Sequence, residues 1–572
     1  MKLEINGRTV EAHDGETLLA AASRAGIRIP TLCHFEGLPP SGACRMCVVE
    51  VEGQRGLVPS CAFPSAPGLK VTTHSARSVD ARRTIVELLL ANHPDDCLYC
   101  SRNGDCQLQD LAAELGVRRR RYFGGRTPAK LDVASPSIVR DPAKCILCGK
   151  CVRVCEEVQS VGALNFIGRG SRAHVGPAFD EGLNVSSCVA CGQCVAVCPT
   201  GALAETRAVE QVLAALADHG KIVVVQHAPS VSVSLAEAFG LKAGADVDGP
   251  MVTALRRLGF DWVFDTSFTA DLTIMEEASE LADRIANGGT LPMMTSCSPG
   301  WIKFVEQFYP DMIPNLSTCK SPQQMLGAIV KTFFARRLDV DPAKVFSVAI
   351  MPCTAKKFEA GRSEMGRGGQ QDIDAVLTTR ELAELIRMHG LDLATLPPDA
   401  ADTPFGERSS AGKLFGASGG VAEAAVRTAQ YLLTGQSGEP VKVQPLRGLD
   451  GVKEFRVTLA GREIGVAAVS GLGNARKLVE QVRAGRRDLH FIEVMTCPGG
   501  CINGGGQPRA ASHDAVKARM ATLYAIDREA SVRASHLNPA VQRLYRDFLE
   551  KPLSHRSHEL LHTTYAPREP VM

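Results

Sequence analysis

The chain has 572 residues, 45% hydrophobic and 22% charged, an ordinary globular composition on a length that exceeds one core. A formal net charge of +2 excludes the strong field that draws nucleic acid or an anionic membrane surface. No run reaches the ~18 apolar residues of a membrane span, and the N-terminus lacks the pattern of a secretory signal, so a cytoplasmic protein is expected.

Residues 1–78 read as a small β-rich unit. LEINGRTVEA carries an Asn-Gly hairpin signal between alternating runs, GETLLAAASRAGI is a helix pattern, and CVVEVEG and GLVPSCAF read as strands. Residues 79–127 open with the helical stretch ARRTIVELLLANH and close on the basic run Arg118–Arg121, expected to be a solvated face. Residues 128–207 contain a two-fold internal repeat, DPAKCILCGKCVRVC and NVSSCVACGQCVAVCPTGAL. Residues 208–555 alternate strand-like runs (KIVVVQHAP, VFSVAIMPC, HFIEVMTC) with helical stretches, which predicts an α/β unit with mainly parallel strands. Its chemistry-bearing residues follow the strands, where open α/β sheets place ligands. Residues 556–572 read as a loose tail.

The 20 cysteines decide the chemistry, since fifteen lie between residues 33 and 198 in tight groups. That pattern, in a long chain without an export signal, argues for metal clusters and against a disulfide scaffold. Cys33, Cys44, Cys47 and Cys61 form C-x10-C-x2-C-x13-C, suited to a [2Fe–2S] cluster. A zinc site is disfavoured there because only one C-x2-C knuckle is present. His93, Cys97, Cys100 and Cys106 form H-x3-C-x2-C-x5-C, a donor set for zinc or a [4Fe–4S] cluster. The flanking cluster motifs favour iron, because a zinc ion in a row of clusters would interrupt electron flow. Cys145, Cys148, Cys151 and Cys155 form C-x2-C-x2-C-x3-C, and Cys188, Cys191, Cys194 and Cys198 repeat it before Pro199. In such twin-cluster runs each fourth cysteine serves the other cluster, so Cys155 is assigned to the second and Cys198 to the first.

Five cysteines remain: Cys297, Cys319, Cys353, Cys497 and Cys501. Three stretches stand out among them, TSCSPGW (295–301), MPCTAKKFE (351–359) and EVMTCPGGCINGGGQ (493–507). They resemble the three signature motifs of the [FeFe]-hydrogenases, and the N-terminal layout resembles the large clostridial-type members of that family. The resemblance spans roughly residues 1–555. It implies a multidomain α/β and α+β fold: a β-grasp [2Fe–2S] ferredoxin domain, a His/Cys3 cluster domain, a two-[4Fe–4S] ferredoxin domain and a C-terminal α/β hydrogenase domain. The implied cofactors are one [2Fe–2S] cluster, three [4Fe–4S] clusters and an H-cluster, a [4Fe–4S] cube joined to a diiron unit with CO, cyanide and a dithiolate bridge.

Carried over residue by residue, the resemblance makes Cys353, Cys497 and Cys501 cube ligands, with Cys501 bridging to the diiron unit. Gly504 to Gly506 would let backbone approach the cofactor. Lys356 would hydrogen-bond a cyanide, and Ser230, Gln323, Met351, Phe415 and Met495 would line the pocket. For the two methionines ordinary core packing competes with that role. Glu277, Glu280 and Arg284 share one helical face at i, i+3 and i+7. By resemblance they form a proton relay with Ser317; an exposed Glu280–Arg284 ion pair is the plainer reading.

The chain departs from the family at its first motif. The family has two adjacent cysteines there, a proton relay and a cube ligand, and matching puts Cys297 on the first and Ser298 on the second. Three outcomes stay open: Ser298 ligates as an alkoxide, Cys297 takes over as ligand, or the site is impaired. Thr496 and Ala355 stand where the family often has Ala and Ser. Cys319 is expected to be a small buried hydrophobe.

The leading function is reversible H2 formation, with ferredoxin as electron donor, maturation proteins as loading partners and a monomeric state. A dehydrogenase subunit of respiratory complex I type shares the N-terminal layout but not the three C-terminal motifs. An H2 sensor or low-activity relative with an altered H-cluster environment, or an iron–sulfur assembly factor, is the non-enzymatic alternative; assembly factors lack the long cluster array.

Overall fold

Asn6 and Gly7 both take positive φ, 54° and 77°, as a tight Asn-Gly hairpin requires. They join strand β1 (Lys2–Ile5) to β2 (Arg8–Glu11) in antiparallel register. With β3 (Val48–Val51), β4 (Val58–Pro59) and β5 (Lys70–Thr72) they form one sheet in the order β2-β1-β5-β3-β4. Helix α1 (Leu18–Arg24), capped by the Thr17 hydroxyl, buries Leu18, Leu19, Ala21 and Ala22 in the same core. This is the β-grasp arrangement expected of the first unit. The computed structural model describes residues 1–123, 126, 130–435, 444–509 and 513–571; the boundary expected at 127/128 lies outside the described residues.

Helix α2 (Ala76–Asn92) is tied to the sheet by Arg82, which is fully buried and donates to the carbonyls of Val48 and Thr73 at 2.7 Å each. The basic run is not merely solvated. Arg121 pairs with the buried Glu87 at 2.5 Å and Arg120 with Asp95, so two of its guanidinium groups hold the loop against this helix. Helix α3 (Gln107–Glu114) follows. The internal repeat folds as two short helices, α4 (Lys150–Arg153) and α5 (Gln193–Val197), each entered through a left-handed glycine, Gly149 and Gly192.

The remainder is built on two four-stranded sheets. The first holds β6 (Ile222–His227), β7 (Trp262–Asp265), β8 (Val345–Met351) and β9 (Ala375–Thr378), all parallel, in the order β7-β6-β8-β9. Their continuous apolar runs fit burial on both faces. The second holds Met293–Met294, Phe491–Met495, Arg462–Ser470 and Val452–Leu459 in that spatial order, parallel except for the last, an antiparallel edge strand. Between the sheets runs the 22-residue helix α6 (Thr266–Asn287), which packs on Pro322–Ile329 and Gly420–Thr434. No helix among the described residues is long and apolar enough to cross a membrane.

The tail expected after residue 555 is not loose. His555–Leu561 is helical, with Leu560 and Leu561 buried. Beyond it His562 is buried against Glu276, and Arg568 Nε lies 2.7 Å from Glu306. The polar composition of the segment hid a two-leucine anchor and two buried acid partners elsewhere in the chain.

Candidate electron relay and active site

Four groups of sulfur and imidazole donors converge as the spacing predicts. In the first unit the Cys44 N–H donates to Cys33 Sγ at 3.5 Å. Cys33 with Cys44, and Cys47 with Cys61, are close enough for each thiol to act on its partner, holding the first of each pair down and pushing the second up. A second cavity is lined by His93, Cys97, Cys100 and Cys106. His93 is buried, its Nδ1 has no hydrogen-bond partner among the described residues, and burial keeps the ring neutral, the form that binds metal. A third cavity is lined by Cys145, Cys148, Cys151 and, across the repeat, Cys198. Cys155 falls instead with the second repeat: the Cys188 charge acts on it, and it and Cys188 act on Cys191 and Cys194.

These groups are arranged as a fork. Lys150 senses Cys33 and Cys44 as well as Cys148, and Arg153 reaches the Pro39 carbonyl at 2.6 Å, so the first unit abuts the third cavity. The His93 group abuts it from another side. Arg102 donates to the Cys198 carbonyl at 2.8 Å, and a Cβ on Gly201 would lie 2.5 Å from Cys100 Sγ. The second repeat then presses on the catalytic unit. Thr354 Oγ1 donates to the Ala190 carbonyl at 2.7 Å, and Gln193 Nε2 to the Asn503 carbonyl at 3.0 Å.

A partly open cavity, with about 750 Å³ of atom-free space including solvent at its mouth, lies where the carboxyl ends of the two sheets meet. Cys297, Ser298, Cys353, Cys497 and Cys501 all line it, with Lys356 and the predicted Ser230, Gln323, Met351, Phe415 and Met495. Its wall is mostly apolar, so a large charged group would be shielded from water there. Burial raises the thiols of Cys353, Cys497 and Cys501, the last to about 12. They would give up their protons to iron rather than to solvent. The convergent thiols, roomy cavity and dry lining fit a cube with an attached diiron unit.

The glycines after Cys501 also serve close packing within the protein. A Cβ on Gly504 would sit 2.2 Å from the Pro352 carbonyl oxygen, and one on Gly505 2.3 Å from that of Cys191. They let protein backbone come close, clamping the third motif against the second motif and the second repeat, while Gly504 also lines the cavity.

Lys356 Nζ is held by Glu359 at 2.9 Å and by the Cys297 carbonyl at 3.1 Å. Gln323 Nε2 reaches the same Glu359 at 3.1 Å. Glu359 lay inside the second motif but sequence reasoning gave it no role. Ser298 Oγ lies 2.7 Å from Thr496 Oγ1 and accepts the Thr496 N–H at 3.2 Å.

Glu277, Glu280 and Arg284 do share a face of α6, but it points inward. Arg284 pairs with Glu280 at 2.7 Å, and Ser317 Oγ donates to the other Glu280 oxygen at 2.8 Å. The pair is largely buried, not solvent-exposed. Both oxygens of Glu277 are buried with no such bond among the described residues. Burial first, then the Glu280 charge, raises Glu277 to about 8. The charge of Glu277 also acts on the Cys297 thiol, which burial lifts well above its ordinary range. Cys319 is fully buried in an apolar cluster, as expected, yet its Sγ lies 3.8 Å from Glu280. Sequence reasoning missed Glu276, which accepts from Tyr545 at 2.6 Å and faces His562 at 3.2 Å. Those partners are more than 260 positions away, and no local pattern announces them.

Comparison with known proteins agrees with this architecture. The family described as "Iron only hydrogenase large subunit, C-terminal domain" matches residues 221–505, and "Iron hydrogenase small subunit" matches 513–568. A 2Fe-2S cluster binding domain matches 1–76 and a 4Fe-4S dicluster domain 144–202. The family described as "NADH-ubiquinone oxidoreductase-G iron-sulfur binding region" matches only 82–121, which limits the complex I likeness to the N-terminal layout. The chain is 48% identical to NADP-reducing hydrogenase subunit HndD of Solidesulfovibrio fructosivorans, over 100% of this chain and 99% of that protein. It is 40% identical to Iron hydrogenase 1 of Clostridium pasteurianum, over 98% and 99% of the two chains. Among solved structures, a variant of apo [FeFe]-hydrogenase HydA1 from Chlamydomonas reinhardtii aligns with a TM-score of 0.58 and 41% identity, covering 64% of this chain and all of that one. The chain therefore belongs to the iron-only hydrogenase family, as an oxidoreductase acting on H2 in which an iron–sulfur relay leads to an H-cluster domain.

Proposed function

We propose that this chain interconverts protons and H2, with electrons arriving from a ferredoxin-type carrier through one [2Fe–2S] and three [4Fe–4S] clusters. The observation that carries this reading is the single cavity that gathers Cys353, Cys497, Cys501, Ser298, Cys297 and Lys356 at the end of the cysteine fork. When bound, the H-cluster supplies the iron site at which electrons and protons combine. The chain supplies the rest. Cys353, Cys497 and Cys501 would hold the cube, and Ser298 Oγ, which accepts the Thr496 N–H, would supply the fourth ligand. That leaves Cys297 as the last proton carrier, next to Glu277.

Protons enter at Glu280, which Arg284 holds in place, and pass through Ser317, bonded to Glu280 at 2.8 Å, to Glu277 and then Cys297. A relay needs carriers that hold a proton at working pH. Glu277, raised to about 8, is protonated at neutral pH. Lys356, fixed by Glu359, presents its ammonium to the anionic end of the cofactor. Phe415, Met351 and Met495 exclude water around it.

A second reading applies to the electron partner. The relative covering the whole chain is named a subunit of an NADP-reducing hydrogenase. Leu98 and Tyr99, 84% and 92% exposed, flank Cys97 and Cys100 and offer an apolar landing for a partner chain. On that reading electrons exchange with a nicotinamide-dependent partner subunit at the His93 group. The test is direct: load the chain with maturation proteins and assay H2 evolution from reduced ferredoxin and from NADPH. Full iron loading without H2 evolution from any low-potential donor contradicts the proposal.

A further inference from the structure

Two buried groups of mixed donors stand outside the cluster sites. His227, Asp248 and Asp265 form one. It is already neutralised, because Lys413 lies 3.2 Å from Asp248 and Arg408 2.6 Å from Asp265. Glu280, Cys319 and His562 form the other, with one ligand atom from each lying within 4.8 Å of the others.

The backbone builds this second group deliberately. Cys319 and His562 face each other across an antiparallel bridge. Two ladder bonds lock it, Lys320 N to the Leu561 carbonyl at 2.7 Å and Thr563 N to the Thr318 carbonyl at 2.8 Å. The C-terminal segment thus delivers an imidazole to a thiol that already faces Glu280. Glu276 orients the ring from Nε2 at 3.2 Å, and the Thr318 hydroxyl occupies Nδ1 at 2.7 Å. Thiolate, imidazole and carboxylate together, with a further carboxylate on the far ring nitrogen, make a borderline-soft donor set suited to a tetrahedral d10 ion.

We propose that Cys319, His562 and Glu280 form a binding site for Zn2+ or a similar divalent transition-metal ion, and that its occupation closes the proton relay. This rests on the relay proposed above. Closure follows from one atom. Glu280 Oε2 is the oxygen that accepts from Ser317, and it is the oxygen nearest Cys319. An ion on that oxygen takes the lone pair the relay uses. Cys319 releases its proton to solvent as the ion binds, and the Thr318 hydroxyl is displaced from Nδ1. Glu280 keeps its Arg284 partner through Oε1, so the fold is not opened.

The experiment uses the cluster-loaded holoenzyme with Zn2+ alone as probe. Equilibrium dialysis reads occupancy, turnover reads the relay, and infrared spectra report whether the H-cluster is intact. The expected result is one additional zinc per chain in the wild type, absent in Cys319→Ala. Turnover should fall at least about tenfold, within what general acid–base transfer contributes, with the infrared bands unchanged and activity restored by a chelator. Cys319→Ala should evolve H2 normally and resist zinc; Cys319→Ser, which keeps the side-chain volume, controls for packing. Equal zinc uptake by wild type and both variants, or none by either, overturns the site. Uptake that leaves turnover unchanged overturns the closure, and counts against Glu280 as a carrier while leaving the site standing.

Discussion

Ser298 and Thr496, 198 positions apart, meet through their hydroxyl oxygens at 2.7 Å, and the Thr496 backbone N–H donates to the same Ser298 oxygen at 3.2 Å. Both depart from the family's usual residues, and each is the other's partner. The N–H donates to that oxygen and the Thr496 hydroxyl can turn to do the same, which favours the charged form a ligating alkoxide requires. Ser298→Ala should therefore leave the cube one ligand short, so that oxidation gives the magnetic-resonance signal of a three-iron cluster. Ser298→Cys should retain four irons and shift the cube's reduction potential. A four-iron cube in Ser298→Ala that is lost in Cys297→Ala would hand the ligand role to Cys297.

Glu277 gives a pH signature. Its carboxyl is raised from 4.5 to about 8, burial being the main cause and the Glu280 charge the next. A group raised in the folded state stabilises fully below its unfolded value, and that contribution is lost as pH climbs through the folded value. Glu277→Gln should thus gain stability relative to wild type between pH 5 and 8, by roughly 4 kcal/mol at most from about 1.4 kcal/mol per pH unit. H2 evolution should fall about 100-fold or more, the scale of a lost proton carrier. Denaturant midpoints at both pH values and a turnover assay check this; a stability difference that stays flat with pH contradicts it.

Gly505 tests the clamp between relay and active site. A Cβ there would lie 2.3 Å from the Cys191 carbonyl oxygen and 2.6 Å from Gly192 backbone atoms. Gly505→Ala must push the second repeat away from the third motif. Electron delivery from a protein donor should slow several-fold, while infrared bands of the H-cluster persist. Unaltered delivery would show that this contact does not set the electron path.

The C-terminal anchor carries its own test. Leu561 is fully buried in the cluster beneath α6. Leu561→Ala should destabilise the catalytic unit by about 2–5 kcal/mol, the usual range for a buried leucine, and thermal unfolding reads it. A change below ~0.5 kcal/mol, typical of surface positions, would return the segment to a loose tail.

Much of the relay was legible because cluster ligands come from short loops. Cys145 to Cys155 and Cys188 to Cys198 declare their spacing locally, and the exchange of the fourth cysteines follows from the repeat itself. The face carrying Glu277, Glu280 and Arg284 was legible as periodicity, but its inward direction was not, because burial of α6 depends on strands and helices far along the chain. Thr496 was legible as a departure, not as the partner of Ser298. The backbone that crowds Gly504 and Gly505 was not legible, since sequence shows a glycine's freedom without showing what lies against it. Glu276, Tyr545 and His562 had no local signal: each is an ordinary polar residue until the fold brings them together.

Whether this chain loads an H-cluster and turns over at it is the central question. Infrared spectroscopy of the chain matured with hydrogenase maturation proteins, read alongside H2 evolution, tests it most directly. CO and cyanide bands are expected together with H2 evolution that collapses in Glu277→Gln while the bands remain. Fully iron-loaded protein without those bands would contradict the hydrogenase reading.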